Sequence, residues 1–179
     1  MKKIKLLHFV HSLVSGGAEK QLRLLSDGLD KRKFEVAIFC VDDTGNDIAD
    51  KRVEIRTPKT RKVTTLSYFN SIYRVVKEFD PDVVHVWLPA SVSIPTMIVC
   101  RLLDKKVIFS YRNKMHFHRP LSYPRFLVAV ACANRIVGNH ENVDSHPFFK
   151  WLYRQNLGRV INNTVVVPRE GFITSRHEA

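Results

Sequence analysis

Apolar positions along the chain repeat with two periods. Short runs rich in β-branched and aromatic residues predict strands at 4–10, 35–41, 53–57, 82–88, 106–111 and 135–138. Between them the spacing lengthens. After Gly16 and Gly17, the residues Ala18, Leu22, Leu25 and Leu29 recur at helical intervals. In "TLSYFNSIYRVVKEF", Leu66, Phe69, Ile72, Tyr73, Val76 and Phe79 predict one buried helical face. "IPTMIVCRLL" predicts a shorter helix with Pro95 in its first turn, where the missing N–H has no partner to lose. Further helices are predicted through 126–133 and over 142–155. Strands and helices alternate throughout, the order of a doubly wound, Rossmann-like α/β domain with a mostly parallel sheet.

In such a sheet ligands collect beyond the carboxyl ends of the strands. Gly16, Gly17, the residues from Trp87 to Ser91, those from Tyr111 to Lys114, and Asn139 with His140 all follow strands, so one rim should carry them. The "DPD" of Asp80 to Asp82 precedes its strand and belongs on the opposite rim, as a turn. The most informative stretch is "HFVHSLVSGGAEKQLRLL". Paired glycines permit positive φ and leave no Cβ in the way of an approaching group, and the unpaired N–H groups of a helix start favour an anion such as phosphate. The same pair also serves a turn that only packs a helix against a sheet. His8 and His85 are expected inside adjacent strands, hydrogen-bonded and packed rather than catalytic, with His11 nearer the rim.

Composition adds bounds. A chain of 179 residues, 45% hydrophobic, supports one globular domain with its own core. Its longest apolar run, "FLVAVACA", falls far short of the roughly 20 residues that cross a bilayer. No small-residue cleavage site follows a signal core, and the reading is cytoplasmic. Cys40, Cys100 and Cys132 lie far apart in apolar segments without a CxxC pair, as buried reduced thiols do. The formal charge of +12 implies anionic partners: phosphorylated substrates, acidic lipid surfaces or nucleic acid. From 105 to 140 there is no Asp or Glu, while Lys105, Lys106, Arg112, Lys114, Arg119, Arg125 and Arg135 fall there. "MHFHRPLSY" adds aromatics to this basic span, a pattern suited to a membrane interface or a nucleic-acid groove. No Walker sequence or HExxH occurs, and His116 and His118 have no neighbouring Cys or carboxylate to complete a metal set. A dinucleotide-dehydrogenase reading keeps Asp42 and Asp43 after the second strand but lacks the G-x-G-x-x-G loop.

"LLHFVHSLVSGGAEKQLRLLSDGL", "FDPDVVHVWLPAS", "KVIFSYRN" and "ANRIVGNHENV", in that order, resemble the amino-terminal half of GT-B glycosyltransferases of the family 4-like group. These enzymes transfer sugars from nucleotide-sugar donors to bacterial glycans and lipids. The GGAE after the first strand is the most specific piece. The resemblance implies that Gly16 and Gly17 face the interdomain cleft, close to the donor diphosphate or a sugar. Arg112 stands where the family often has a histidine that contacts the donor sugar, and could instead hold a phosphate or carboxylate by bidentate bonds. Asn139 and His140 fall where the family often has an Asn-Ser pair. His11, Glu19, Trp87 and Asn113 are further cleft candidates, Glu19 having a second role as a carboxylate complementing the helix dipole. "DPD" is similar to the metal-binding DxD of another glycosyltransferase class, but its position before a strand makes it a turn.

The resemblance runs to about "RVINNTVVVP", which gives an expected domain at 1–165 and the start of an interdomain linker at 166–179. The family's carboxy-terminal domain, which holds most of the nucleotide, has no counterpart in "REGFITSRHEA", so the isolated chain is expected to be inactive. The resemblance further implies a nucleotide-sugar donor, a glycan or lipid-linked acceptor, no cofactor, no obligatory metal and no nucleic acid. It suggests polysaccharide or lipopolysaccharide synthesis, with peripheral contact at the inner face of the cytoplasmic membrane. No residue identifies itself as catalytic. The alternative class is a basic, non-enzymatic docking module for acidic membrane or nucleic acid.

Overall fold

Five successive buried residues, Leu6 to Val10, can be satisfied only in a strand whose two faces are both covered. In the computed structural model, which describes residues 2–14, 16–42, 50–58, 65–87, 93–111, 122–139 and 147–164, they lie in β1 (Ile4–Ser12), inside a seven-stranded parallel sheet. The chain continues through α1 (Gly17–Gly28), β2 (Phe34–Asp42), β3 (Glu54–Arg56), α2 (Thr65–Phe79) and β4 (Val83–Trp87). It then forms α3 (Ser93–Leu102), β5 (Lys106–Tyr111), α4 (Ser122–Cys132), β6 (Arg135–Gly138), α5 (Pro147–Arg154) and β7 (Gly158–Val160).

The strand order is β3-β2-β1-β4-β5-β6-β7. It reverses between β1 and β4, the position in such a sheet at which ligands collect. Alternation along the strands divides the core. Leu7, Phe9, Val84, Val86 and Phe109 pack with Tyr68 and Ile72 of α2, Met97 and Cys100 of α3, and Phe126 and Ala129 of α4. Val10, Ile38, Cys40 and Trp87 pack on the other face with Leu22 of α1. Helices of successive rightward and leftward crossovers fall on opposite faces because parallel crossovers are right-handed. Phe39 and Phe109 are almost wholly buried, and truncating either to alanine would cost about 3–5 kcal/mol.

Several expectations need correction. In α2 the buried side is Tyr68, Ser71, Ile72, Val75, Val76 and Phe79, whereas Leu66 and Tyr73, read as part of it, are exposed. Tyr68 meets Phe39 in a tilted ring contact, with centroids 6.2 Å apart, on this buried side. In α1, Leu25 faces solvent and Ser26 is buried, and the buried Lys31 donates to the Ser26 carbonyl at the helix end. β7 lies outside the predicted strands: it is three residues long and only Gly158 is buried, too little for a periodic signal. Within the helix expected over 142–155, 142–146 lie outside the described residues.

At the amino-terminal rim, Asp82 accepts a bond from Lys5 N at 2.8 Å and gives its own N–H to Lys5 O at 2.9 Å. Asp80, at φ 49°, ends α2 in the left-handed conformation that closes helices, and its carboxylate pairs with Lys105. The "DPD" is therefore a rim tie, on the side away from the glycine turn.

Candidate functional site at the strand switch

The site starts from parallelism. Since every strand points the same way, the carboxyl ends of β1, β4, β5 and β6, at Ser12, Trp87, Tyr111 and Gly138, share one rim. Trp87 pairs with Ser110 and Tyr111 with Gly138, so these strand ends are level to within a residue.

Beside this rim α1 begins at Gly17, with Gly16 as its N-cap residue. Gly16 has φ −150° and ψ 166°, an extended conformation open to any residue, and Gly17 is already helical. The positive φ expected of the pair is not used. What remains is room. A Cβ on Gly17 would meet nothing within 4 Å, while one on Gly16 would collide with the Glu19 carboxylate. Glu19 thus folds over the first turn of α1, where a negative charge complements the helix dipole. As the N-cap residue, Gly16 offers no side chain to cap this helix start, and the first N–H groups of a helix favour an anion.

Under the rim lies a buried polar chain. His8 and His85 are register partners on β1 and β4, with ring centroids 5.2 Å apart. Trp87 Nε1 donates to His8 Nδ1 at 3.1 Å, and His85 Nε2 bonds Ser110 Oγ at 2.6 Å. Both histidines are packed and hydrogen-bonded, as expected from the sequence. Because Nδ1 accepts, neutral His8 carries its proton on Nε2, which has no partner among the described residues. Burial, helped by the Lys31 charge, lowers the His8 pKa to about 3, so the ring stays neutral. The indole of Trp87 is 1% exposed. It forms the floor beneath the rim, not its open surface.

His11 is exposed near the end of β1, and Asn139 follows β6 half-buried. Arg112, Asn113 and His140 lie outside the described residues. A contact invisible in the sequence ties the rim together. The amide of Gln21, one turn along α1 from Gly17, donates to Thr164 O at 2.7 Å and accepts from Thr164 N at 2.8 Å. Ile161 N donates to Gly138 O at 2.9 Å. Residues 161–164 therefore lead from the end of β6, beside Asn139, to the start of α1.

Elsewhere, a cavity of about 310 Å³ opens between β3 and α2, lined by Glu54, Arg56, Thr57, Arg74, Val75 and Glu78. Its charges close on one another, Arg56 with Glu54 at 3.0 Å and Arg74 with Glu78 at 3.6 Å. Cys40, Cys100 and Cys132 form no disulfide, and burial pushes the Cys100 thiol up to about 12. Among the described residues no three His, Cys, Asp or Glu side chains form a metal set, and no helix is long and apolar enough to cross a membrane.

The family model described as Glycosyltransferase Family 4 matches residues 15–164. No curated protein matches the chain. Solved structures share its fold at low identity. The UDP-GlcNAc 2-epimerase of Neisseria meningitidis bound to UDP-GlcNAc aligns at TM-score 0.64 and 11% identity, over 90% of this chain and 46% of that one. HepE of Anabaena in complex with UDP and glucose aligns at TM-score 0.67 and 15% identity, over 90% and 45%. MnaA of S. aureus in its UDP complex aligns at TM-score 0.61 and 15% identity, over 91% and 45%. The chain spans less than half the length of these structures.

Proposed function

The chain belongs to Glycosyltransferase Family 4, and on that premise we propose that it forms the acceptor-side half of an enzyme moving a sugar from a nucleotide-sugar donor to a glycan or lipid-linked acceptor. The observation that carries the reading is the helix start at Gly16 and Gly17, open to an anion and set where the strand order reverses. Fold neighbours whose complexes contain UDP, glucose or UDP-GlcNAc support a nucleotide-sugar at this rim.

In this reading the sheet domain occupies 1–165, and a donor-binding domain follows in the same chain or is supplied by a second one. The sugar–diphosphate bond breaks at the anomeric carbon, the diphosphate leaving with the bonding electrons, as the acceptor oxygen bonds to that carbon and gives up its hydroxyl proton to the leaving diphosphate. Backbone N–H groups around Gly17 steady the leaving diphosphate, with Arg112, Asn113, Asn139 and His140 as further cleft groups. Catalysis comes from positioning across a closed cleft, so this half alone is inactive. The pathway is bacterial polysaccharide or lipopolysaccharide assembly, at the inner face of the cytoplasmic membrane.

Release of UDP from a UDP-sugar by this chain joined to its donor-binding domain tests the reading. Gly17→Asp should abolish transfer while far-UV circular dichroism stays unchanged. Full transfer by that variant would reject the cleft assignment.

A further inference from the structure

Beneath helix α1 two buried side-chain atoms lack partners. Nε2 of His8, on β1, and Oγ of Ser26, on α1, meet no hydrogen-bonding group among the described residues, and both residues are wholly buried. Buried polar atoms in folded proteins are nearly always paired, because leaving one unpaired forfeits its hydration without return.

Both atoms belong to one layer. Val10 of β1, Leu22 of α1 and Trp87 pack in one cluster, and the Trp87 indole donates to His8. His8 stands two residues before Val10 and shares its face, while Ser26 stands one turn beyond Leu22 and shares its side of the helix. A crossover helix runs back against its strand. The step from Leu22 to Ser26, about 6 Å, and the step from Val10 to His8, about 7 Å, therefore lead the same way and end at one level. Lys31 marks the same place: its Nζ donates to the Ser26 carbonyl, and its charge acts on His8. Yet Lys31 has no proton left for either atom. An ammonium has three, and Nζ meets Ser26 O, Leu29 O at 3.2 Å and Asp50 Oδ2 at 3.5 Å. Since His8 Nδ1 accepts from Trp87, the neutral ring keeps its proton on Nε2. A donor and an acceptor are thus left over at one depth under the helix.

We propose that an internal water site lies between α1 and β1, where one water molecule bridges His8 Nε2 and Ser26 Oγ. The water accepts the Nε2 proton and donates to the hydroxyl oxygen. Trp87, His8, the water and Ser26 then form one hydrogen-bonded chain from β4 through β1 to α1. Internal waters settle where otherwise unpaired polar groups converge, and such a bridge is nearly as favourable as a direct bond. It gives the helix that starts at Gly17 a polar tie to the strand beneath it, in addition to the apolar contacts of Leu22. The site is independent of sugar transfer.

The test is NMR of the 179-residue chain labelled with nitrogen-15 at histidine, together with a high-resolution crystal structure of it. Cross-relaxation between water and the Nε2 proton of His8 is expected in the wild type, and the crystal should show one water within hydrogen-bond distance of both atoms. Ser26→Ala removes one end of the bridge. In it the water signal at His8 should disappear and the folding equilibrium constant should fall about fivefold in urea unfolding. The wild-type measurements keep the test valid if that variant folds poorly. Three results would overturn the proposal: a direct bond between Nε2 and Oγ in the crystal, no water signal at His8 in the wild type, or a water signal unchanged in Ser26→Ala.

Discussion

The indole Nε1 of Trp87 donates a hydrogen bond to Nδ1 of His8, 3.1 Å away, across the two strands between which the sheet order reverses. The floor of the candidate cleft is thus fixed by a bond between side chains, beneath the backbone ladder. Trp87→Phe keeps most of the packing but leaves a buried acceptor unpaired. A loss of about 2 kcal/mol in urea unfolding is the expected outcome.

His8 also makes stability depend on pH. The unfolded imidazole takes a proton near 6.5, the folded one only near 3, so between these values the unfolded state holds more protons. The contribution is complete above 6.5 and is lost as pH falls, at up to about 1.4 kcal/mol per unit. Asp30, Asp50 and Asp80 are held below the usual carboxylate range by Arg32, Arg52 and Lys105, so their titration comes at lower pH. Unfolding free energies measured between about pH 6 and 4.5 should therefore slope less in His8→Gln than in the wild type.

Gly17 separates packing from binding. A Cβ there meets nothing within 4 Å and the backbone is helical, so Gly17→Ala should stabilise the chain by about 0.5 kcal/mol in thermal or urea unfolding. The same methyl group stands where a diphosphate would approach, so transfer by the two-domain enzyme should fall. A variant that is both more stable and fully active would remove the reason for glycine at this position.

Gln21 fixes where the chain leaves the domain. With both backbone groups of Thr164 held by one amide, the Thr164 N–H should be protected from hydrogen exchange. In Gln21→Ala that protection should drop about fivefold, the effect of roughly 1 kcal/mol. Unchanged protection would mean that the segment is held by other contacts.

The strands were legible because parallel strands buried on both faces are rich in β-branched and aromatic residues with few polar interruptions, as β1, β2, β4 and β5 are. Their order in sequence led to the common rim and placed "DPD" opposite it. Helix faces were less legible. Leu25, Leu66 and Tyr73 fit an apolar stripe by spacing, but the direction of the core depends on partners such as Phe39 and Lys31, which spacing does not contain. The glycine turn was found in its place with a different reason: open space at Gly17, not positive φ at either residue. The pairing of Gln21 with Thr164 joins residues 143 apart and leaves no periodic trace.

The most direct measurement is an amide NMR titration of the chain with UDP. Shifts concentrated at Gly16, Gly17 and Asn139 would be the expected result, because the helix start and the end of β6 share the rim at which a nucleotide diphosphate is proposed to bind. Shifts confined to the opposite rim, around Asp80 and Asp82, or a silent Gly16 and Gly17 at saturating UDP, would contradict it.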